Sequence, residues 1–158
     1  MSPRSLFDRE RAVYWPTEYA DLVNLLKGTG PGGKASHAPF YKFNTGVIAL
    51  AAVVGLVNGR QRDVGTARQE ISTSTFASHR FGNVALDTYL FLVPLLASGD
   101  TDLLKSGREE EVIRRFERYA AGGLEVLHEA LSVSTDSTGM AVMMTEIERA
   151  MNRLPLES

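Results

Sequence analysis

Arg108-Glu-Glu-Glu-Val-Ile-Arg-Arg-Phe-Glu-Arg-Tyr-Ala-Ala-Gly-Gly-Leu-Glu-Val-Leu-His-Glu-Ala-Leu131 is the stretch on which the fold turns. Its apolar residues Ile113, Phe116, Ala120, Leu124, Leu127 and Leu131 recur at spacings of 3, 4, 4, 3 and 4, the rhythm of one side of an α-helix. On the other side Glu110 precedes Arg114 by four residues and Glu111 precedes Arg115 likewise; each such pair adds about 0.2–0.5 kcal/mol to a helix. Glu109 to Glu111 also sit where the positive end of the helix dipole favours acids. Gly122 and Gly123 work against the pattern, at roughly 1 kcal/mol each relative to alanine. Either the helix breaks there or another backbone packs closely on that spot.

Outward from this segment the chain reads as further helices. Asn44 or Thr45 starts one that runs to Asn58-Gly59, a C-terminal stop; apolar nearly all round, it is expected at the centre of the core. Upstream, Ala12 to Trp15 is extended and closed by Pro16. Thr17 then caps a helix reaching Gly28, with the stripe Tyr19, Leu22, Val23 and Leu26. Gly28 to Pro39 is crowded with glycine and proline and reads as a flexible loop. Gln69 to Phe76, rich in Ile, Thr and Ser, reads as a short strand. The remainder reads as helical: Leu86 to Ala97, with a kink or early stop expected at Pro94; a turn at Ser98-Gly99-Asp100; a helical turn from Thr101 to Lys105; and a last helix, Met140 to Leu154, presenting Met140, Met143, Ile147 and Met151. The expected fold is mainly α: one domain over residues 1–158, a bundle of about five helices with at most a short strand pair. Residues 132–158 form a C-terminal helix whose methionines suit either core packing or an adaptable partner surface.

Composition sets the boundaries. The chain has 158 residues, is 44% hydrophobic and 23% charged, and carries a formal net charge of −2, which excludes a disordered chain. It has no cysteine, which excludes disulfides, thiolate catalysis and cysteine-held metal sites. The longest apolar run, Val47 to Val57, is far short of the ~20 residues that cross a bilayer, and Met1 to Arg11 lacks a signal peptide's apolar stretch. The expected setting is the cytoplasm, with no membrane.

Among motifs, Gly28 to Lys34 has the spacing G-x-x-x-x-G-K of a phosphate-binding loop. Ala35 stands where Ser or Thr would hold magnesium, a helix precedes it where a strand is required, and Pro39 follows closely. It therefore reads as a linker. His37, His79 and His128 are well separated and accompany no nucleophile elbow or metal-binding pair. No catalytic residue, metal site or cofactor is expected, and the chain reads as a non-enzyme.

Charge is distributed unevenly. Residues 1–80 hold ten Lys/Arg against six Asp/Glu, a net +4; residues 81–158 hold seven against thirteen, a net −6. Arg60, Arg62 and Arg68 follow the apolar helix, with Arg80 beyond them and Lys34 and Lys42 ahead. These six are the candidates for contact with a DNA backbone, the arginines because their forks match phosphate oxygens; solvation of the surface explains such a cluster equally well. The acidic Arg108–Leu131 helix is the side expected to face a protein.

Phe116-Glu-Arg-Tyr-Ala-Ala-Gly-Gly-Leu-Glu-Val-Leu127 resembles a stretch of the family called DNA phosphorothioation-associated protein 4. In that pattern an asparagine stands where this chain has Ala121. Gly46 to Val57 with Gly59-Arg60 after it is similar to the family's alanine-rich helix and basic turn, and Trp15-Pro16-Thr17-Glu18-Tyr19 to its lead into the first helix. Members accompany the Dnd systems, which insert sulfur into the DNA backbone and restrict unmodified DNA. The resemblance implies a non-enzymatic accessory role in antiviral defence, docking to other proteins of a phosphorothioation-dependent system, with double-stranded DNA as a second partner class and a homo-oligomer allowed. Within the motif, Phe116, Tyr119, Gly122, Gly123 and Leu124 read as structural. The alternative is a dimeric transcriptional regulator of the same operon.

Overall fold

Two crossed helices form the centre of the molecule: α2 (Asn44–Asn58) and α5 (Glu109–Ser132). The structure, a computed structural model, describes residues 6, 7, 9–26 and 43–132. The expected 28–39 loop, the 140–154 helix, Lys34, Lys42 and His37 lie outside the described residues. Around the central pair are β1 (Ala12–Pro16), a 3-10 turn (Thr17–Tyr19), α1 (Ala20–Leu26), β2 (Arg68–Ser72), α3 (Thr73–Ser78), a small hairpin β3–β4 (Arg80–Phe81, Val84–Ala85), α4 (Asp87–Ser98) and a 3-10 turn at Thr101–Leu104. The described residues thus form a mainly α fold of five helices with short antiparallel strand pairs.

The glycines explain how α2 and α5 meet. A Cβ on Gly123 would stand 1.6 Å from the Ala51 carbonyl oxygen, one on Gly55 2.0 Å from that of Tyr119, and one on Gly122 2.1 Å from that of Arg60. Glycine is required because backbone lies directly against backbone, so the helix stays unbroken and the second of the two sequence alternatives holds. The seam is filled by Val47, Ile48, Ala51, Val54, Ile113, Phe116, Ala120 and Leu124, all buried, with Phe76 meeting Phe116 edge-on at 6.1 Å. Gly59 ends α2 in the left-handed conformation at φ 63°, as its Asn-Gly stop foreshadows.

β1 and β2 pair antiparallel, Ala12 opposite Ser72 through Pro16 opposite Arg68. The other edge of β1 is closed by α5. The Tyr14 N–H donates to Glu117 Oε2 at 2.8 Å, and Arg114, itself on Glu117 at 2.7 Å, donates to the Ala12 carbonyl at 3.3 Å. Edge groups that would otherwise be unpaired are thereby satisfied.

Four expectations need correction. Thr17 is not a cap: Pro16 occupies that position without a side-chain bond, and the Thr17 N–H instead donates to the Ala67 carbonyl. The 69–76 strand stops at Ser72, whose hydroxyl accepts from the Ser74 N–H and starts α3, a local bond that outweighs strand propensity. Residues 80–85 form a hairpin rather than helix. Pro94 does not stop α4 early. The helix runs on to Ser98 and is capped by Gly99 at φ 68°, held by the burial of Leu90, Val93 and Pro94.

Candidate functional site

The two charge halves meet each other. Arg60 leaves α2 with its carbonyl against Gly122 and places Nη1 2.7 Å from Glu125 Oε1 and 3.3 Å from Glu129 Oε1. Arg62 bonds Glu18 and the Tyr19 hydroxyl, with Glu125 at 3.7 Å. Arg118 of α5 reaches Asp63 at 3.8 Å, and Arg11 reaches Glu110 at 2.8 Å. Much of the basic turn is therefore spent on carboxylates of the chain itself. Burial raises the Tyr19 phenol above its ordinary range, with Arg62 opposing and Glu18, Glu125 and Glu129 adding to the rise.

The remaining basic candidates are more open. Arg68, exposed, stacks over the Tyr14 ring at 4.0 Å, a cation–π contact. Arg80, also exposed, donates to the Asn83 carbonyl at 3.0 Å. The structure thus brings Arg60 and Arg62 together on one acidic cluster and leaves Arg68 and Arg80 apart from it.

On α5 the acidic first turn is occupied as its spacing implies. Glu110 meets Arg114 at 3.1 Å, and Glu111 meets Arg115 at 2.6 Å and Arg108 at 2.9 Å. The Arg11 hydrogen bond is the largest cause holding Glu110 below the usual carboxylate range. Glu117 is different: buried against β1, it is pushed up by desolvation, with the Tyr14 N–H and Arg114 pulling the other way. Phe116, Gly122, Gly123 and Leu124 all lie in the helix seam and Tyr119 lends it a carbonyl, so all five motif residues touch the contact between α2 and α5.

The histidines are separate. His79 Nδ1 lies 2.7 Å from Thr45 Oγ1, and its ring stacks on Phe43 with centroids 3.8 Å apart and planes within 5°. His128 is exposed, tilted against Tyr19 at 5.7 Å. Among the described residues no three His, Asp or Glu side chains converge as a metal site would require, and no helix is long and apolar enough to cross a membrane.

One surface went unread in the sequence. Leu6, Thr88, Phe91, Leu92, Leu95 and Leu104 line an apolar groove of about 340 Å³ along the outer side of α4. Leu96, 50% exposed, stands on the same helix, and Leu104 is 55% exposed. The available signal was an excess: Leu86 to Ala97 has more leucines than one buried face can use, and Leu90 and Val93 already fill that face.

The described residues therefore define a helix-pair scaffold with an internally neutralised arginine turn and an uncovered leucine groove. The chain belongs to the family of DNA sulphur modification system-associated protein 4, whose model matches residues 12–155. No curated protein and no solved structure matches it significantly.

Proposed function

We propose that this chain is a non-enzymatic accessory protein of a DNA sulphur modification system, acting in the cytoplasm as part of bacterial defence and working by docking to another protein of that system. The observation that carries the reading is the uncovered leucine surface of α4, where Leu6, Leu92, Leu96 and Leu104 are exposed together. Large apolar side chains gathered at one place on a small protein mark an interaction surface. Family membership supplies the system; the groove supports a partner that inserts apolar side chains.

Protein docking is favoured over DNA contact by the state of the arginines. For Arg60 and Arg62 to reach phosphates they must leave Glu125, Glu129 and Glu18, and charge-assisted bonds are the stronger ones to break. A DNA-contact role falls to Arg68 and Arg80. Co-expression of the tagged chain with the other proteins of its system tests the reading. Leu92→Asp/Leu96→Asp is expected to abolish co-purification while the fold persists, and an Arg60/Arg62/Arg68 triple alanine variant is expected to retain it. Retention by the leucine variant, or loss only in the arginine variant, overturns the reading.

A further inference from the structure

We infer that the Leu6–Phe7 segment is a strap clasped onto α4 by the buried carboxylate of Asp87, and that the clasped strap is one wall of the leucine groove. A partner then docks on strap and helix together, a step that rests on the α4 reading above. The order of residues on α4 carries the inference. Asp87 and Phe91 are four positions apart and so lie one above the other on a single stripe of the helix. Two consecutive residues from far along the chain meet that stripe. The Leu6 N–H donates to Asp87 Oδ2 at 3.0 Å across 81 positions, and the Phe7 ring stacks on Phe91 with centroids 4.6 Å apart and planes at 27°.

Asp87 suits a clasp. It is only 1% exposed, and a carboxylate taken out of water must be hydrogen-bonded. It stands in the first turn of α4, where the helix dipole favours an acid. Its bond to a backbone N–H is charge-assisted and so among the stronger ones, and it fixes where the segment lies whatever side chain that segment carries. With the Leu6 N–H held, Phe7 is buried in the core while the Leu6 side chain is left largely exposed. Leu6 thereby lines the groove beside Thr88, Phe91, Leu92, Leu95 and Leu104. The other five belong to α4 or to the turn that follows it; Leu6 is the wall brought from outside.

The strap bounds the groove without filling it. About 340 Å³ stays open beside Leu6, whose side chain adds to the apolar surface instead of covering it. A competitor for the groove would seat its buried side chain there. The side chain this segment buries is Phe7, which is not part of the groove lining.

Two readouts on the full chain keep clasp and docking apart. Amide exchange and ring-to-ring NOEs read the clasp. The Leu6 amide should be protected in the wild type, and Asp87→Ala should speed its exchange about tenfold or more. The same variant should lose the Phe7–Phe91 NOE although both rings remain, and Phe7→Ala should speed Leu6 exchange although Asp87 remains. Asp87→Asn, which keeps an acceptor oxygen, should restore much of the protection. The Leu90 and Val93 amides should stay slow throughout, marking an intact α4. Co-expression with the other proteins of the system reads docking: Phe7→Ala should lose co-purification with every α4 leucine in place. A wild-type Leu6 amide that exchanges freely, or one indifferent to Asp87→Ala, overturns the clasp. Co-purification kept by Phe7→Ala but lost by Leu92→Asp/Leu96→Asp overturns the strap's part in docking and leaves α4 standing. Stronger co-purification by Phe7→Ala overturns it by making the strap a competitor. Retention by the leucine variant overturns the α4 reading and with it the docking step, while the exchange data still decide the clasp.

Discussion

Replacing Gly123 by alanine adds one methyl group where α5 crosses α2, and the consequence follows from the distance available. The new Cβ would stand 1.6 Å from the Ala51 carbonyl oxygen, against about 3.0 Å for the closest tolerable approach, and 2.9 Å from the Gly55 amide nitrogen. Both are backbone atoms of a helix, so no side chain can swing aside. The helices must move apart by more than an ångström along a seam of fully buried Val47, Ile48, Ala51, Phe116, Ala120 and Leu124. A gap of 0.5–1 Å already forfeits about a quarter to a half of each dispersion contact. Overpacking of this kind costs about 1–3 kcal/mol where neighbours can yield, and more where they cannot. The gain in helix propensity returns roughly 1 kcal/mol. With backbone on both sides the cost lies above the roughly 3 kcal/mol end of that range, so the expected net loss is upward of about 2 kcal/mol, a large share of a typical domain's roughly 5–15. Urea denaturation followed by circular dichroism reads it as a lower midpoint at unchanged slope. Gly55→Ala should behave alike, and the double variant should lose less than the two single losses combined, because the seam is opened once. A Gly123→Ala protein as stable as the wild type, or more stable by the propensity term of about 1 kcal/mol, would refute the close crossing.

Other consequences are electrostatic. Arg62→Ala removes the cation that opposes the burial of Tyr19, so the Tyr19 pKa should rise further, as followed by carbon NMR of labelled tyrosine; a fall would contradict the pairing. Glu117 holds its proton more tightly folded than unfolded because burial raises its pKa above the ordinary 4.5. Its contribution to stability is therefore greatest below that value and declines as pH rises through the window up to its folded pKa. Glu117→Gln should remove that decline and make the slope of stability against pH more positive just above 4.5; an unchanged slope would count against a buried, raised carboxyl. Glu110 runs the other way. Its pKa is lowered, first by Arg11, so its contribution is present above the ordinary value and lost as pH falls through its folded one. Arg11→Met should raise the Glu110 pKa in an NMR titration.

How much was legible depended on whether the deciding contacts were local. The Ile113–Leu131 stripe and the Asn58-Gly59 stop carry their own period and cap, and both are where the sequence puts them. The Gly122-Gly123 pair announced its two outcomes, but only the partner helix could choose between them. The 69–76 run read as one strand because Ser and Thr serve strand and helix start alike, so the cap that the Ser72 hydroxyl gives the Ser74 N–H does not mark the composition. The two-residue strands β3 and β4 are too short to leave a period. The arginine turn was legible as a cluster and illegible as a site: Arg62 finds Glu18 across 44 positions and Arg60 finds Glu129 across 69. Pairings at such separations leave no trace in spacing. The leucine groove was hidden for a related reason, since an all-apolar helix reads as wholly buried until its neighbours are known to cover only one side.

The central claim is that α4 is where the partner sits. Hydrogen exchange of the chain alone, and then in complex with the other proteins of its system, addresses it most directly. New protection should concentrate in Asp87–Ser98 and Thr101–Leu104, with little change from Arg60 to Ala67 on adding duplex DNA. Unchanged exchange across α4 in the complex, or protection of the Arg60–Ala67 turn by duplex DNA, would contradict it.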